Sequence, residues 1–167
     1  MLFRSFILRS NPQKATRCKG NVSSTYFIFE ISEIHQHRQF ASPILSQAVL
    51  TDTYEWKVGI RLYPNGVDNG WGSHVAVFVH LMKGEYDDLL DWPFPGIITL
   101  SVLDQSSDRN HISQLVQAKP NLLAFQRPDD TIRRTGCGFV KFAPIEVFFR
   151  PQNVRNDKLF LKIEFSA

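Results

Sequence analysis

Apolar and polar residues alternate with a period of two along most of this chain. In the last such segment, Leu159, Leu161 and Ile163 fall on one side, and charged residues flank them on the other. A β-strand turns successive side chains to opposite faces, so this alternation predicts strands that each bury one face. The predicted strands are 26–31, 56–63, 74–81, 97–103, 137–142 and 158–165.

Turn-forming residues separate these strands, and helical signals are weak. The predicted loops are 64–70, 92–96 and 127–130. Ile112, Leu115 and Val116 would form the apolar stripe of a short helix at 108–117. A second short helix, beginning with proline, is predicted at 144–149. Many short alternating strands with one or two helices predict an all-β fold, an antiparallel β-sandwich.

The composition is that of a soluble globular domain. Apolar residues make up 43% of the 167 residues and charged residues 21%, which suits one domain with a real core. No apolar stretch reaches the roughly 18 residues of a membrane helix, so no membrane insertion is expected. The two cysteines, Cys18 and Cys137, are too few for a disulfide scaffold or a cysteine-rich zinc site, and a reducing compartment is the default.

The positive charge is confined to the start of the chain. Residues 1–20 hold five basic and no acidic side chains, whereas the remainder holds 14 basic and 16 acidic ones. The body therefore does not predict a nucleic-acid groove. We expect residues 1–23 to be a basic N-terminal extension, either a flexible tail, an unreliable start of the sequence, a targeting peptide or an added strand at 2–8.

Candidate chemistry is sparse. The acidic run 85–91 lacks the ligand spacing of a calcium loop, and a loop that tucks in Leu89 and Leu90 is the simpler interpretation. The five histidines are scattered; His35 and His37 would share one face of an extended segment but make a weak metal site by themselves. The sequence predicts no metal site and no cofactor.

No nucleophilic catalyst stands out either. The chain has no G-x-S-x-G motif, and Cys137 lies between two glycines with nothing in the sequence to lower its pKa. Asp104, which follows a predicted strand, is best explained as a turn former. The chain is therefore not expected to be an enzyme, and no catalytic residue is assigned.

The faces opposite the apolar stripes are more informative. Arg61 and Tyr63 lie opposite the apolar side of their strand, and Phe139 is placed opposite Val140 and Phe142. If these strands share one sheet, an arginine and two aromatic rings cluster on its outer face, unless a loop covers them. A free strand edge beside such a patch could take up an extended peptide.

Several motifs are similar to those of the tumour-necrosis-factor-receptor-associated factors (TRAFs). The run Gly84–Phe94 resembles their segment GEYD-x-LL-x-WPF, and further matches are Leu103–Ser106, Ala124–Pro128, Asn156–Phe160 and Arg61–Gly66. The resemblance covers roughly residues 24–167. It implies the C-terminal TRAF domain, or MATH domain, an eight-stranded antiparallel β-sandwich.

The resemblance also implies a function. Such domains are cytoplasmic adaptors of TNF-receptor-type and innate-immune signalling, and they bind short extended peptides of receptor or adaptor tails along a sheet edge. The segment Lys119–Ala124 is most like that of the sixth member of the family, which favours Pro-x-Glu-x-x-(aromatic or acidic) peptides. A homotrimer is possible by the same likeness. The alternative is a MATH module that recruits substrates for ubiquitin ligation.

Site residues follow from the same resemblance. Arg61, with Tyr63 nearby, matches the arginine that meets the terminal aromatic or acidic residue of the ligand, and Leu123 and Ala124 match the backbone amides that receive its glutamate. Gly138 matches backbone that pairs with the added strand. The residues that line the family's proline pocket correspond to Phe139, to Phe78 beside it and to Val116. Cys137 and Thr135 stand where the sixth member has Phe and Lys.

Overall fold

Two β-sheets pack face to face around a shared apolar core. The computed structural model describes residues 6–7, 12–19, 22–51, 55–129 and 136–166. Its strands are β1 Phe6–Ile7, β2 Gln13–Lys19, β3 Val22–Ser32, β4 Ile44–Leu45, β5 Val49–Leu50, β6 Lys57–Tyr63, β7 His74–Met82, β8 Ile97–Val102, β9 Ile112–Gln117, β10 Cys137–Pro144 and β11 Lys158–Ser166. The helices are α1 Ile34–Phe40 and α2 Ile145–Phe148, with 3₁₀ turns at Asp68–Gly70, Asp87–Leu89 and Leu123–Phe125.

The strand order separates the two layers. Sheet A has the order β1-β4-β6-β7-β10, with β5 also paired to β6, and sheet B has the order β2-β3-β11-β8-β9. Every pair is antiparallel except β1 with β4. The prediction of an all-β antiparallel sandwich is therefore confirmed, and eight of the described strands have six or more residues.

The core consists of the alternating apolar positions found in the sequence. In β3 and β11, Phe29, Ile31, Leu159, Leu161 and Ile163 are at most 2% exposed, and their neighbours in sequence point outward. Each such side chain contributes about 1.5–3 kcal/mol when fully buried. All six predicted strands are present, and α2 lies at the second predicted helix. The two helices of the described chain have seven and four residues, and neither is long and apolar enough to cross a lipid bilayer.

The predicted helix at 108–117 is wrong. Ile112–Gln117 is strand β9, antiparallel to β8, and its side chains alternate between sheltered and exposed. Ile112 and Val116 are four residues apart, a spacing that fits one face of a helix and one face of a strand equally well. Leu115 misled the prediction, because it is 57% exposed instead of joining them.

The acidic run and the paired histidines also differ from expectation. Leu89 is not tucked in but 77% exposed, because the 3₁₀ turn at Asp87–Leu89 buries Asp87 instead. The carboxylate of Asp87 accepts a hydrogen bond from the N–H of Gly84 at 3.0 Å. His35 and His37 belong to helix α1 and do not lie in an extended segment.

Part of the range 1–23 is paired with sheet B. Strand β2 runs antiparallel to β3 from Gln13 to Lys19, and β3 begins at Val22. The short strand β1 pairs with β4. The boundary between an extension and a domain at residue 24 stays a prediction, and most of the alternative strand at 2–8 lies outside the described residues.

Candidate functional site

A row of residues crosses the outer face of sheet A from β6 to its edge at β10. Arg61 is the cross-strand partner of Phe78, and Phe78 is the partner of Gly138. Cross-strand partners lie on the same face of a sheet, so the guanidinium, the ring and the bare glycine backbone follow one another. The alternation of β7 places its other face, with Val77 and Val79, in the core.

Arg61 is held by aromatic neighbours and keeps donors for a ligand. Its Nη1 lies 3.5 Å from the hydroxyl oxygen of Tyr63, and the ring of Tyr63 meets that of Phe78 edge to face at 6.0 Å. Arg61 Nε is buried and has no hydrogen-bond partner within the described structure. A guanidinium presented beside aromatic rings suits a carboxylate or an aromatic ligand group.

Phe139 is not on this outer face. Its partner is Val77, which is fully buried, and Phe139 packs against the core with its ring 6.2 Å from that of Phe142. The register shifts between Phe139 and Ala143, so a bulge breaks the alternation on which the prediction relied. The expected pair of outer aromatic rings consists of Tyr63 and Phe78.

Cys137 and Phe139 flank Gly138 on β10 and turn toward the core side. Cys137 is partly buried, with Val79 as its cross-strand partner. Burial raises the pKa of its thiol, and the nearby charge of Lys119 opposes that shift only in part. A raised pKa keeps the thiol protonated at neutral pH, which argues against a nucleophilic role.

Strand β10 forms one edge of sheet A. Among the described residues, no strand pairs with its side facing away from β7. In the second half of β10, Gln114 Nε2 of strand β9 donates to the carbonyl of Phe142 at 3.4 Å. Alternate backbone N–H and C=O groups of the first half, Cys137–Phe139, therefore face outward, as in the strands that accept an added peptide.

The loop 119–126 presents two backbone donors. The N–H of Leu122 donates to the carbonyl of Lys119 at 3.0 Å, and that of Phe125 donates to the carbonyl of Leu122 at 3.1 Å. In the described structure, the N–H groups of Leu123 and Ala124 have no such acceptor. Unsatisfied donors side by side suit a carboxylate oxygen.

The side chains of the remaining predicted site residues differ in how far they are exposed. Val116 is 7% exposed on β9, opposite Ile98 in sheet B, so it contributes to the core and its role as a pocket wall stays a prediction. Leu123 is 57% exposed, and Ala124 is half-buried against the core. Thr135 lies outside the described residues.

His80 belongs to the same face and was not singled out from the sequence. It is two residues from Phe78, its cross-strand partner is Gly59, and its ring lies against Gly136 so closely that a Cβ there would be 2.8 Å from Nδ1. The period-two pattern of β7 carried this information, since it places Ala76, Phe78 and His80 together.

Comparisons with known proteins agree with this architecture. A family model described as TRAF/meprin, MATH domain, matches residues 41–162. TNF receptor-associated factor 6 of Homo sapiens is 41% identical over 168 residues, covering 96% of this chain and 32% of that protein. TNF receptor-associated factor 5 of Mus musculus is 31% identical, covering 93% of this chain and 29% of that protein.

A solved structure of Notothenia coriiceps TRAF5 superposes with a TM-score of 0.79 at 30% identity, covering 85% of this chain and 73% of that chain. The chain spans about a third of the length of the curated relatives it matches. Because the fifth and the sixth factors both match, the predicted likeness to the sixth is one of several.

Proposed function

This chain belongs to the TRAF/meprin family of MATH domains, and from that premise we propose that it is a peptide-binding adaptor domain without enzymatic activity. Its partners are extended tails of receptors or receptor-bound adaptors, and it acts in the cytoplasm in TNF-receptor-type and innate-immune signalling. The relatives are named for their association with TNF receptors, which supports this class of partner.

One observation carries the proposal: the row of Arg61, Phe78 and Gly138 begins at β10, whose outer side pairs with no other described strand. An extended peptide can pair with Cys137–Phe139 as an additional strand, so its main chain supplies affinity. Side chains that reach the neighbouring surface then supply specificity.

The spacing of a Pro-x-Glu-x-x-aromatic peptide fits this surface. The glutamate meets the free N–H groups of Leu123 and Ala124, and the proline lies beside Cys137 and Phe139. Paired with β10, the peptide runs along that strand, and Arg61 on β6 lies three strand spacings, about 14 Å, away across the outer face, a gap that the side chains of Arg61 and of the terminal residue enter from both sides. The terminal aromatic or acidic residue thus reaches Arg61.

Gly138 makes this path possible. It lies between the edge and Phe78, and it has no side chain to block a ligand group that crosses the face. At Arg61, an aromatic ring forms a cation–π contact and a carboxylate forms an ion pair, which explains why both classes of residue are accepted.

Calorimetric titration tests the proposal. A peptide with Pro-x-Glu-x-x-Phe should bind the wild type, and Arg61→Ala should lose about 1–2 kcal/mol, or roughly five- to thirtyfold in affinity. A peptide that ends in Ala at the aromatic position should bind both proteins equally. The matched control is Arg38→Ala, since Arg38 also makes a cation–π contact, 4.9 Å from the Phe149 ring, but lies on helix α1.

The outcomes separate the parts of the proposal. Equal affinities of the wild type and Arg61→Ala remove Arg61 from the site. Absence of binding by any Pro-x-Glu peptide contradicts the motif. Tighter binding of Ser/Thr-rich peptides favours a MATH module that recruits substrates for ubiquitin ligation.

The number of peptide-binding sites in one assembly is part of the same proposal. A single edge that holds a short peptide binds it weakly, and a homotrimer would gain apparent affinity for clustered tails by avidity without any new contact. Sedimentation velocity of the purified chain, alone and with a trivalent peptide, measures the stoichiometry. A monomer at all concentrations would restrict the adaptor to single-site binding.

A further inference from the structure

The loop that carries the two free donors is closed on itself. Besides its backbone bonds, the side-chain amide of Gln126 donates to the carbonyl of Pro120, and the N–H of Gln126 donates to the carbonyl of Leu123 at 3.1 Å. These bonds fix the shape of the segment 120–126. They do not by themselves fix where the segment lies on the domain.

Its position is set by aromatic contacts with the loop 92–96. Phe125 is 2% exposed and stacks on Phe94 at 6.3 Å, and the N–H of Phe94 donates to the carbonyl of Phe125 at 2.9 Å. The ring of Trp56 also meets that of Phe94 edge to face, with the ring centroids 5.2 Å apart. A ring contact and a backbone bond thus join the same two residues.

The loop 84–92 supports Phe94 in turn. The indole N–H of Trp92 donates to the carbonyl of Asp87 at 3.0 Å, and the ring of Trp92 lies 6.4 Å from that of Trp56. Arg127 forms an ion pair with Asp88 at the surface. That pair is exposed and contributes little, so the aromatic contacts and the buried hydrogen bonds dominate.

We propose that Phe94 is a positioning residue, which holds Phe125 and thereby aims the N–H groups of Leu123 and Ala124 at an acidic side chain of the ligand. The inference rests on the proposed function, because that function supplies the acidic group. It also gives the run Gly84–Phe94 a specific role, as the support on which the donor loop rests.

The first test needs no ligand. In Phe94→Leu, amide exchange at Phe125 and Gln126 should accelerate about tenfold relative to wild type, since their acceptors lie in a loop that has lost its support. Phe29→Leu is the matched control: Phe29 is 1% exposed in the core and lies on strand β3 of sheet B. Its variant should leave the exchange rates of Phe125 and Gln126, relative to those of core amides, unchanged.

The second test measures preference for the acidic residue. The wild type should bind a Pro-x-Glu peptide about tenfold more tightly than its Gln counterpart, since a charge-assisted hydrogen bond is worth roughly that much. In Phe94→Leu the ratio should fall to about twofold, whereas in Phe29→Leu it should be kept. Trp56→Leu, which removes the half-buried ring packed on Phe94, should also lower it and decides the question if Phe94→Leu fails to fold.

The results distinguish the two proposals. A wild type that binds Glu and Gln peptides equally overturns the proposed role of the donors, and the exchange experiment still tests the support. A preserved tenfold preference in Phe94→Leu or, if it does not fold, in Trp56→Leu overturns the positioning role alone.

Discussion

At the residue scale, two glycines of sheet A differ in what an added side chain would contact. A Cβ on Gly138 would lie 2.8 Å from the Cα of Phe78 and would also strike the carbonyl oxygen of Val77, so rigid backbone opposes it. A Cβ on Gly59 would meet only the flexible side chain of Met82, whose sulfur would lie 3.0 Å away. The close approach of β7 and β10 therefore requires glycine at one position and not at the other.

Gly138→Ala should lower the free energy of unfolding by about 1–3 kcal/mol, because β10 must move away from β7. Gly59→Ala should change it by less than about 1 kcal/mol and serves as the control. Urea unfolding followed by tryptophan fluorescence measures both. A neutral Gly138→Ala would contradict the close strand approach.

Asp104 organises the loop between β8 and β9. Its Oδ1 accepts from the N–H of Ser106 at 2.7 Å and its Oδ2 from the N–H of Asn110 at 2.9 Å, as expected of a turn former. The hydroxyl and the N–H of Ser106 lower its pKa most, the N–H of Asn110 and the charge of His111 add to this, and burial opposes them.

The lowered pKa of Asp104 determines how its contribution to the free energy of unfolding changes with pH. The folded protein binds a proton at Asp104 less readily than the unfolded chain, so the stabilisation is present above the unfolded pKa of about 3.9 and is lost as pH falls through the lower folded value. Asp104→Asn should therefore be less stable than wild type at pH 7, and the gap should narrow below about pH 4. Urea unfolding across pH measures it, with Asp108→Asn as control; a constant gap would contradict this role.

At the element scale, strand β9 shows how far a single strand can be inferred from sequence. Leu115 and Val116 are adjacent and lie on opposite faces, 57% and 7% exposed. Val116→Ala should lower the free energy of unfolding by about 2 kcal/mol, and Leu115→Ala should change it by less than about 0.5 kcal/mol. Chemical unfolding of both variants checks this. Equal losses would support the helical stripe instead.

Features that depend on residues close together in the chain could be predicted from the sequence, whereas contacts between distant segments could not. Alternation is local, so the strands and the outward positions of Arg61 and Tyr63 were predictable. The bulge in β10, which turns Phe139 toward the core, leaves no periodic signal. The support of Phe125 by Phe94 joins loops far apart in the chain, so no local pattern indicates it.

At the scale of the whole molecule, the two sheets differ in which parts of the chain form their edge strands. One edge of sheet B is β2, which lies in the basic N-terminal segment, and one edge of sheet A is β10. The predicted function needs only the second edge. Among the side chains that the structure describes, the core residues of both sheets come from β3 onward.

Removal of residues 1–19 should therefore leave one cooperative unfolding transition and unchanged peptide affinity, since β3 keeps β11 as its partner. Calorimetry and urea unfolding of the shortened chain measure both properties. Loss of cooperative unfolding would place these residues inside the domain and would move the predicted boundary at residue 24.

The open half of β10 presents the same backbone groups to every extended chain, including another copy of the protein. Without a peptide, two molecules at high concentration can join their sheets edge to edge, which is the first step of β-aggregation. Bound peptide blocks that step by occupying the groups it needs. In the proposed function, peptide binding and protection against edge-to-edge association therefore depend on the same strand.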